Sequence, residues 1–405
     1  MPSSTKQRKV AMPADAKLIN RQMVIGVLRR GQPVTVADIH EITGISRPTA
    51  MKTLQHYCEL GVARSLGLGE STNVGGKKPE LFCFCDERKI LCVNLWPGGI
   101  TMGICGLISE VESTRTFPLE AAASLDDALG QLRIAADVYL GECGCTKDDL
   151  YGVMLSVPGT VDYDRRMLRY NSHAPEWGTN VMLGERLKDL FGADKEYFVG
   201  NAGKSTGRAI LIDQPSYADH RVMTLFTTWG VSACMIERGH VLNGRDSLIG
   251  EIGHMVISDH AGAPCGCGKT GCLESLVSLS HVRSMLCAMG AQELCGGLTI
   301  GRLFALSAGG DARAQQVVRN LAHCFAVALH NLSLAYNQEA VVIQGDYAGA
   351  DELFDRTLRG ELAQFRYYPS AQEPFAIIYD RRDISLLSLR GGAQVLKTRY
   401  FASLG

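Results

Sequence analysis

The sequence predicts an α/β protein in which a small, largely helical N-terminal module precedes a larger body. With 405 residues, the chain is too long for one compact domain, and two or three domains are expected. Three short helical patterns occupy residues 16–60. In the remainder, apolar runs typical of buried strands, such as residues 151–157, 222–228 and 340–345, alternate with helical patterns. This alternation is typical of a layered α/β architecture.

The composition is that of an ordinary globular protein, because hydrophobic residues make up 46% and charged residues 20%. This balance excludes disorder for most of the chain. The longest apolar stretch, residues 91–108, contains Asn94, Pro97 and four glycines, so it predicts strands and turns and no membrane span. No apolar segment follows the basic start, so a secretory signal is not expected. The 14 cysteines are therefore expected to be reduced thiols of a cytoplasmic protein.

Charge is distributed unevenly along the chain, although the net value is only −1. Residues 1–90 hold 14 Lys and Arg against 8 Asp and Glu, a net charge of +6. Residues 91–405 hold 27 against 34, a net charge of −7. A basic head on an acidic body predicts a polyanionic partner for the head, with chance clustering of charges as the alternative.

The second and third helical patterns of the head carry clear boundary signals. Thr35 suits the N-cap of the second helix, and Gly44 ends it because glycine tolerates a left-handed backbone. Ser46 is the expected N-cap of the third helix, whose first turn accommodates Pro48. Helix, glycine-containing turn and helix form a helix-turn-helix, and the next segment adds two strands around a Gly-rich tip. We therefore predict a winged helix-turn-helix domain over residues 1–88.

The third helix is predicted to enter the major groove of DNA. Its inner stripe is Ala50, Leu54 and Tyr57, so the opposite face is available for contacts. Two lysines at the base of the wing suit backbone phosphates. The predicted contacts to a double-stranded DNA operator are Arg47, Thr49, Lys52, Thr53, Lys77 and Lys78. The alternative is a three-helix packing module without a DNA partner.

One segment of the body concentrates soft metal ligands. Cys265, Cys267 and Cys272 lie within eight residues, and His254 lies eleven residues before the first of them. Three thiolates and one imidazole form the ligand set of a tetrahedral Zn²⁺ site, and the intervening glycines let the backbone fold tightly around a metal. A site closed by four protein ligands predicts a structural role. His260 is a competing fourth ligand, and free thiols in a Gly-rich loop are the alternative.

Several segments of the body resemble the ROK family, which contains sugar kinases and sugar-responsive transcriptional repressors. They are G-E-I-G-H at 250–254, C-G-C-G-K-T-G-C-L-E at 265–274, S-V-P-G-T-V-D at 156–162, Trp177, V-G-N at 199–201 and G-G-A at 391–393. G-G-K-K-P at 75–79 resembles the junction of head and body in the repressor branch. The resemblance covers nearly the whole chain.

The resemblance implies an actin-like body of two α/β lobes, in the RNase H-like (ASKHA) class, around a cleft. Residues 89–200 with 385–405 are then expected to form the first lobe. Residues 201–384 are expected to form the second, which carries the zinc loop and the sugar-side residues.

Phosphoryl transfer in this family requires two glycine-rich phosphate loops and a base for the sugar hydroxyl. In place of D-x-G-x-T the chain has N-L-W-P-G at 94–98, where Trp96 fills the space of a small residue and Pro97 lacks an N–H. In place of G-T-G-x-G-x-G it has T-W-G-V-S-A-C at 228–234. The kinases have Asp after the residue that matches Asn201, whereas this chain has Ala202, which cannot accept a proton. We therefore predict no catalytic residues and no enzyme activity.

The resemblance implies that a sugar-binding set is retained. Its members are Asn201, Glu251, His254 and Glu274. Carboxylates and amides suit this role because buried hydroxyls need strong, directed acceptors. His254 is expected to divide its two ring nitrogens between the metal and the cleft. For Glu251 and Glu274 the alternative is a pair of surface carboxylates near helix ends.

Together these features predict a sequence-specific transcriptional regulator, most simply a repressor of carbohydrate genes that responds to a sugar or sugar phosphate. A homodimer or tetramer would place two third helices about one DNA turn apart on a near-palindromic operator. One alternative is an active ATP-dependent sugar kinase with a DNA-binding head. Another is a regulator that senses a sugar-transport protein of the phosphotransferase system.

Overall fold

The computed structural model describes residues 13–69, 78–96, 98–119, 124–258, 264–365 and 375–405, with side chains from residue 16 onward. The N-terminal head contains three helices and three strands. These are α1 (Pro13–Leu28), β1 (Val34–Thr35), α2 (Val36–Thr43), α3 (Arg47–Glu59), β2 (Ala63–Leu68) and β3 (Glu80–Phe84). The strands form one sheet in the order β1-β3-β2, with antiparallel pairs. This is the predicted winged helix-turn-helix, although the tip of the wing lies outside the described residues.

The caps of α2 and α3 follow from local sequence. Thr35 and Asp38 form a reciprocal capping box at the start of α2, and Gly44 ends that helix with φ of +72°. The Ser46 hydroxyl accepts from the backbone N–H of Thr49, and Pro48 lies in the first turn of α3. Both boundaries confirm the sequence prediction.

The first five-stranded sheet and its helices occupy the next segment. They are β4 (Lys89–Trp96), β5 (Gly99–Gly106), β6 (Glu112–Pro118), α4 (Leu125–Glu142), β7 (Leu150–Val157), α5 (Leu183–Phe191) and β10 (Glu196–Asn201), with the hairpin β8 (Thr160–Asp162) and β9 (Met167–Tyr170) between β7 and α5. The sheet order is β10-β7-β4-β5-β6. The first three strands form an antiparallel meander, and β7 and β10 add in parallel.

The second sheet repeats this topology. After α6 (Ala202–Asp213) come β11 (Arg221–Thr227), β12 (Val231–Glu237), β13 (His240–Val241), α7 (Leu273–Val277), α8 (Leu279–Ala288), α9 (Ile300–Ala308), α10 (Ala312–Tyr336), β14 (Ala340–Gly345), α11 (Glu352–Gln364), β15 (Ala376–Asp380) and α12 (Ile384–Ser403). Its order is β13-β12-β11-β14-β15, again a meander followed by two parallel strands. Two sheets of the same topology are the actin-like arrangement that the resemblance implied.

Helices α6 and α12 cross between the two sheets. Helix α12 packs on strands of the first sheet, α6 packs on β11 and β12 of the second, and the two helices lie directly against each other. Gly391 permits this approach, because a Cβ there would overlap the backbone oxygen of Ser205. Gly207 similarly lets α6 approach Cys234 of β12. The start of α6 is therefore held at the boundary between the two sheets.

The head is not separated from the body by a flexible gap. Buried residues of the head and of α12 belong to one apolar cluster, in which Leu28 and Tyr57 share a core with Leu396 and Phe401. The side chain of Gln22 donates to the backbone oxygen of Phe401 at 3.1 Å. The head therefore rests on the C-terminal helix, and the division of the chain at residue 88 stays a prediction.

Within the described residues, no helix combines the length and the apolar character that crossing a bilayer requires.

Candidate functional site

The four predicted metal ligands converge in the structure. The ligand atoms of His254, Cys265, Cys267 and Cys272 all lie within 4.8 Å of one another. His254 ends a short 3₁₀ turn over Ile252–His254, and the backbone N–H of Cys265 donates to the backbone oxygen of Lys269. These contacts fold the loop so that three thiols face one imidazole. His260, the competing ligand, lies outside the described residues.

The donor set and its spacing fit Zn²⁺. The Sγ atoms of Cys267 and Cys272 are 3.6 Å apart, and Cys265 Sγ is 3.4 Å from His254 Nδ1. A tetrahedron with Zn–S bonds of about 2.3 Å has S–S edges of about 3.8 Å. Burial, followed by the neighbouring thiols, raises the pKa of Cys272 to about 12. A bound dication would hold these thiols as thiolates and lock the loop shape.

A cavity of about 760 Å³ opens beside the metal ligands. It is lined by Gly159, Thr160, Arg169, Tyr170, Ser172, Asp246, Leu248, Gly250, Glu251, Ile252, His254, Met255, Cys267 and Lys269. His254 therefore faces both the ligand cluster and this cavity, as the sequence analysis expected. Of the four predicted sugar-side residues, Glu251 and His254 line this space. We call it the effector cavity.

Glu251 is paired with a buried lysine that the sequence analysis missed. Burial raises the pKa of Glu251, while the positive charge of Lys204 opposes that rise. Lys204 is 2% exposed, and its Nζ donates to the backbone oxygen of Ser247 at 3.2 Å. Burial lowers the pKa of Lys204, and Glu251 opposes that shift too. The pair is coupled because each charge offsets the desolvation of the other. The feature of the sequence that could have indicated this interaction is the position of Lys204, in the first turn of α6 and three residues after Asn201.

Asn201 has a structural role that the sequence did not predict. It caps α6, since its Oδ1 accepts from the backbone N–H of Lys204 at 3.0 Å. Its Nδ2 donates to the backbone oxygen of Gly159 at 2.7 Å. Asn201 lines neither this cavity nor the second one described next. The amide thus fixes the wall of the effector cavity, and direct sugar contact by Asn201 stays a prediction.

Glu274 lines a second cavity of about 570 Å³, together with Trp229, Gly230 and Asp346. One carboxylate oxygen accepts from the backbone N–H of Val231 at 2.9 Å. The negative charge of Glu274 contributes to raising the pKa of Glu251, so the two carboxylates are electrostatic neighbours across the two cavities.

An apolar cluster occupies the region between the sheets. The rings of Trp96 and Phe226 stack with centroids 5.7 Å apart and an interplanar angle of 12°. Ala202 packs with them, and each of the three is no more than 6% exposed. Asn94, fully buried, accepts a hydrogen bond from Ser388 at 2.8 Å and donates to the backbone oxygen of Ser385. The residues that would form the first phosphate loop and the base therefore pack against one another, apart from Pro97, which lies outside the described residues.

Comparison with known proteins defines the family. The family model described as "ROK family" matches residues 141–398, more than half of the chain. The chain belongs to the ROK family.

Three similar proteins illustrate the range of this family. A xylose repressor of Bacillus subtilis is 20% identical over 87% of this chain and 88% of its own length. A glucokinase of Halalkalibacterium halodurans is 29% identical over 51% of this chain, and the match spans 64% of the glucokinase, less than two thirds of its length. The crystal structure of a ROK family transcriptional regulator, a homologue of the E. coli MLC protein, has a TM-score of 0.77 at 20% identity and covers 96% of this chain and 98% of its own. These ROK relatives support the two-lobed fold and the presence of the head.

The outer face of α3 carries some, but not all, of the predicted DNA contacts. Arg47 and Lys52 are exposed, and Thr49 is half-buried beside Ser46. Thr53 is less accessible than its assignment to this face implied: it is 8% exposed, and its hydroxyl donates to the backbone oxygen of Thr49. It still lines one groove with Thr49 and Lys52, so its contact with DNA stays a prediction.

Two basic side chains of α1 join this face. Lys17 and Arg21 line a groove with Thr49 and Lys52. Their four-residue spacing is a helical signal that the sequence analysis did not use. Lys78 is exposed at the base of the wing, and Lys77 lies outside the described residues.

We expect replacement of Cys267 by Ser to abolish stoichiometric zinc binding, because a thiolate ligand and its charge are lost. Metal analysis of purified protein should give about one zinc per chain for the unaltered protein and a small fraction of that for the variant. Cys287→Ser is the matched control, since Cys287 is exposed and outside the cluster. Equal zinc content in all three proteins would show that these residues hold no metal.

We expect Lys204→Met to lower the free energy of unfolding by about 1–3 kcal/mol, because it removes the positive charge that offsets the desolvation of Glu251. The loss should be larger at pH 8 than at pH 5. Removing Lys204 raises the folded-state pKa of Glu251 further, and a carboxyl with a raised folded pKa destabilises the protein as pH rises above its unfolded pKa.

The double variant Lys204→Met with Glu251→Gln should recover most of the stability and lose the pH dependence, as measured by denaturant unfolding at both pH values. A single variant with unchanged stability at pH 8 would mean that the two charges do not interact.

Proposed function

We propose that this protein is a DNA-binding transcriptional regulator that responds to a sugar or sugar phosphate in the effector cavity. One combination of features carries this proposal. A basic winged head is joined to a ROK body in which Trp96, Phe226 and Ala202 pack where phosphoryl transfer would need a phosphate loop and a base. A protein that combines a DNA-binding domain with a filled reaction centre is suited to sensing a ligand without converting it.

The extent of the similarities supports the same proposal. The match to the xylose repressor includes most of both chains, whereas the match to the glucokinase covers about half of this one. The regulator of known structure also aligns over the head and the body together. By analogy with the repressor, DNA and a sugar are the proposed ligands of this chain.

Recognition of a sugar is proposed to use Glu251 as a hydroxyl acceptor in the effector cavity, with His254 beside it. A hydroxyl placed there replaces water, and its hydrogen bond to a buried carboxylate is strong because the local dielectric is low. Zn²⁺ at the neighbouring cluster would hold the ring of His254 in place. Glu274, in the second cavity, is the proposed further contact.

On DNA, Arg47 is proposed to read base edges, and Lys52 and Lys78 to contact the backbone. A homodimer would present two copies of α3 to a near-palindromic operator, and a tetramer would present further pairs. A sugar that binds one arrangement of the lobes better than another would shift the equilibrium between the two arrangements and so change the spacing of the heads. The difference between the two affinities sets the largest possible shift of that equilibrium. The protein would act in the cytoplasm, where the DNA is.

A second candidate is a regulator that senses a protein of the phosphotransferase system in place of a free sugar. The hydrogen bonds of Asn201 favour it, because both polar atoms of that amide already serve the protein. Ala202 also removes one potential hydroxyl partner. Both features reduce the number of groups left for a free sugar.

The proposal predicts that duplexes selected from a random pool contain a near-palindrome and are released by a sugar or sugar phosphate. Arg47→Ala should weaken binding by about 1–3 kcal/mol and relax preference at one base position per half-site. Lys78→Ala should weaken all duplexes alike and reduce the salt slope by about 1.

Arg302→Ala, a change of an exposed residue on α9, is the matched control for charge and should leave binding unchanged. Equal affinity for specific and random duplexes would refute sequence-specific regulation. Release by a phosphotransferase-system protein, with no release by any sugar tested, would support the second candidate.

The proposal also predicts no sustained ATP consumption with any hexose in a coupled assay, because the reaction centre lacks a base and a phosphate loop. Ala202→Asp should not restore turnover, since Trp96 and Phe226 still fill the space beside it. Turnover that vanishes in Glu251→Gln would identify the protein as a sugar kinase instead.

A further inference from the structure

A third cavity, of about 680 Å³, lies where the head meets the body. Arg29 reaches it from the end of α1, Arg208 from α6, and Lys397 and Arg399 from α12. Strand β13 of the second sheet contributes His240. None of its lining residues lines the effector cavity or the second cavity. We call it the junction cavity.

The lining of the junction cavity is strongly cationic. Glu110 is its one carboxylate, and that group is paired with Arg390 at 2.9 Å. Within the described part of the chain, no carboxylate lies within ion-pair distance of Arg29, Arg208, Lys397 or Arg399. The four cationic side chains of the junction cavity therefore have no carboxylate partner of their own among the residues that the structure describes.

The protein holds these cations in place through groups that do not neutralise them. Lys397 Nζ donates to the backbone oxygen of Ser109 at 2.5 Å, and Arg399 Nη1 donates to that of Tyr197 at 3.0 Å. The guanidinium of Arg208 lies 4.9 Å from the centre of the Tyr163 ring. Contact with aromatic rings holds this guanidinium without cancelling its charge.

Repulsion between the positive charges around Arg399 also favours a bound anion. Burial lowers the pKa of Arg399, and the positive charges of Arg166 and, less strongly, Arg208 add to that shift, while the negative charge of Glu196 opposes it. Like charges held close together in a partly buried space are unfavourable unless an anion lies between them. Two guanidinium groups offer planar, two-pronged donors that match the oxygens of a phosphoryl group, and Lys397 adds a point charge.

We propose that the junction cavity binds the phosphoryl group of a small molecule, with Arg208, Arg399 and Lys397 as its direct partners. Inorganic phosphate, pyrophosphate and phosphorylated sugars share this chemistry and are candidate sources. Because the cavity is lined by the head and by elements packed on both sheets, an anion there would bridge them. Its binding would then favour one placement of the head over others, to the extent that it binds that placement more tightly.

DNA is a less suitable anion for this space. The cationic side chains line a cavity where the head meets the body. A duplex is a wide, rigid cylinder, whereas a small phosphate can enter a cavity of this volume. The shape of the space therefore favours a small ligand.

Calorimetric titration at constant ionic strength tests the proposal, with inorganic phosphate, pyrophosphate and glucose 6-phosphate as separate probes and chloride as the reference anion. We expect at least one of the three probes to bind saturably. Arg208→Met and Lys397→Met should each weaken that binding at least tenfold, because each removes a charged donor. If Arg208→Met does not fold, Lys397→Met carries the test. Lys188→Met on α5, a half-buried lysine paired with Glu185 and outside the junction cavity, is the matched loss of charge that should have no effect.

Variant Glu251→Gln separates this cavity from the effector cavity. Binding that survives Glu251→Gln and fails in Lys397→Met supports the proposal, whatever the outcome of the DNA-binding experiments. Binding that fails in Glu251→Gln and survives in Lys397→Met would place the anion in the effector cavity and overturn it. The absence of saturable binding by all three probes would overturn it too. The proposal would also be overturned if, with no probe present, Lys397→Met bound DNA more weakly and with a smaller salt slope. That result would mean that the cations of the junction cavity contact DNA.

Discussion

The close contact between α6 and α12 is the constraint on which the rest of the structure depends. Gly391 brings the backbone of α12 against the carbonyl of Ser205, and no other residue type leaves room for that approach. Each helix also covers a different sheet, so their contact fixes the two lobes against each other. The start of α6 bears Lys204, whose charge acts on Glu251 of the effector cavity, while the end of α12 carries the core on which the head rests. A change in lobe position would reach the head through these packed helices.

The space between the lobes illustrates how a family fold changes its chemistry without changing its architecture. Trp96, Phe226 and Ala202 form an apolar contact between elements of both sheets, and Asn94 is tied to α12 by hydrogen bonds with Ser385 and Ser388. These contacts add packing where phosphoryl transfer would need a hydrated, anion-binding loop. At the same time the side chains that could hold a metal and Glu251 stay beside one cavity. Filling of the space between the sheets and retention of this cavity are the two features on which the proposed sensor role rests.

Much of the architecture could be predicted from local sequence. Thr35, Gly44, Ser46 and Pro48 placed α2 and α3 correctly, because capping is decided by a few neighbouring residues. The convergence of three cysteines and a histidine that could hold a metal was also predictable, since these residues have few other uses at that density. The low exposure of Thr53 was not predictable, because the exposure of a residue at the edge of the inner stripe depends on what packs against the helix.

Other features depend on contacts between residues that are distant in the chain. Lys204 and Glu251 are 47 positions apart in the sequence, and nothing in either segment alone predicts that their charges are buried together. Arg29, Arg208 and Lys397 likewise meet only because α1, α6 and α12 converge. The sequence by itself determined the helix-turn-helix of the head and the cluster of possible metal ligands, since each rests on residue types at short spacing. Only the tertiary structure decided the charge pairing and the cavities, because burial and distance are properties of the packed chain.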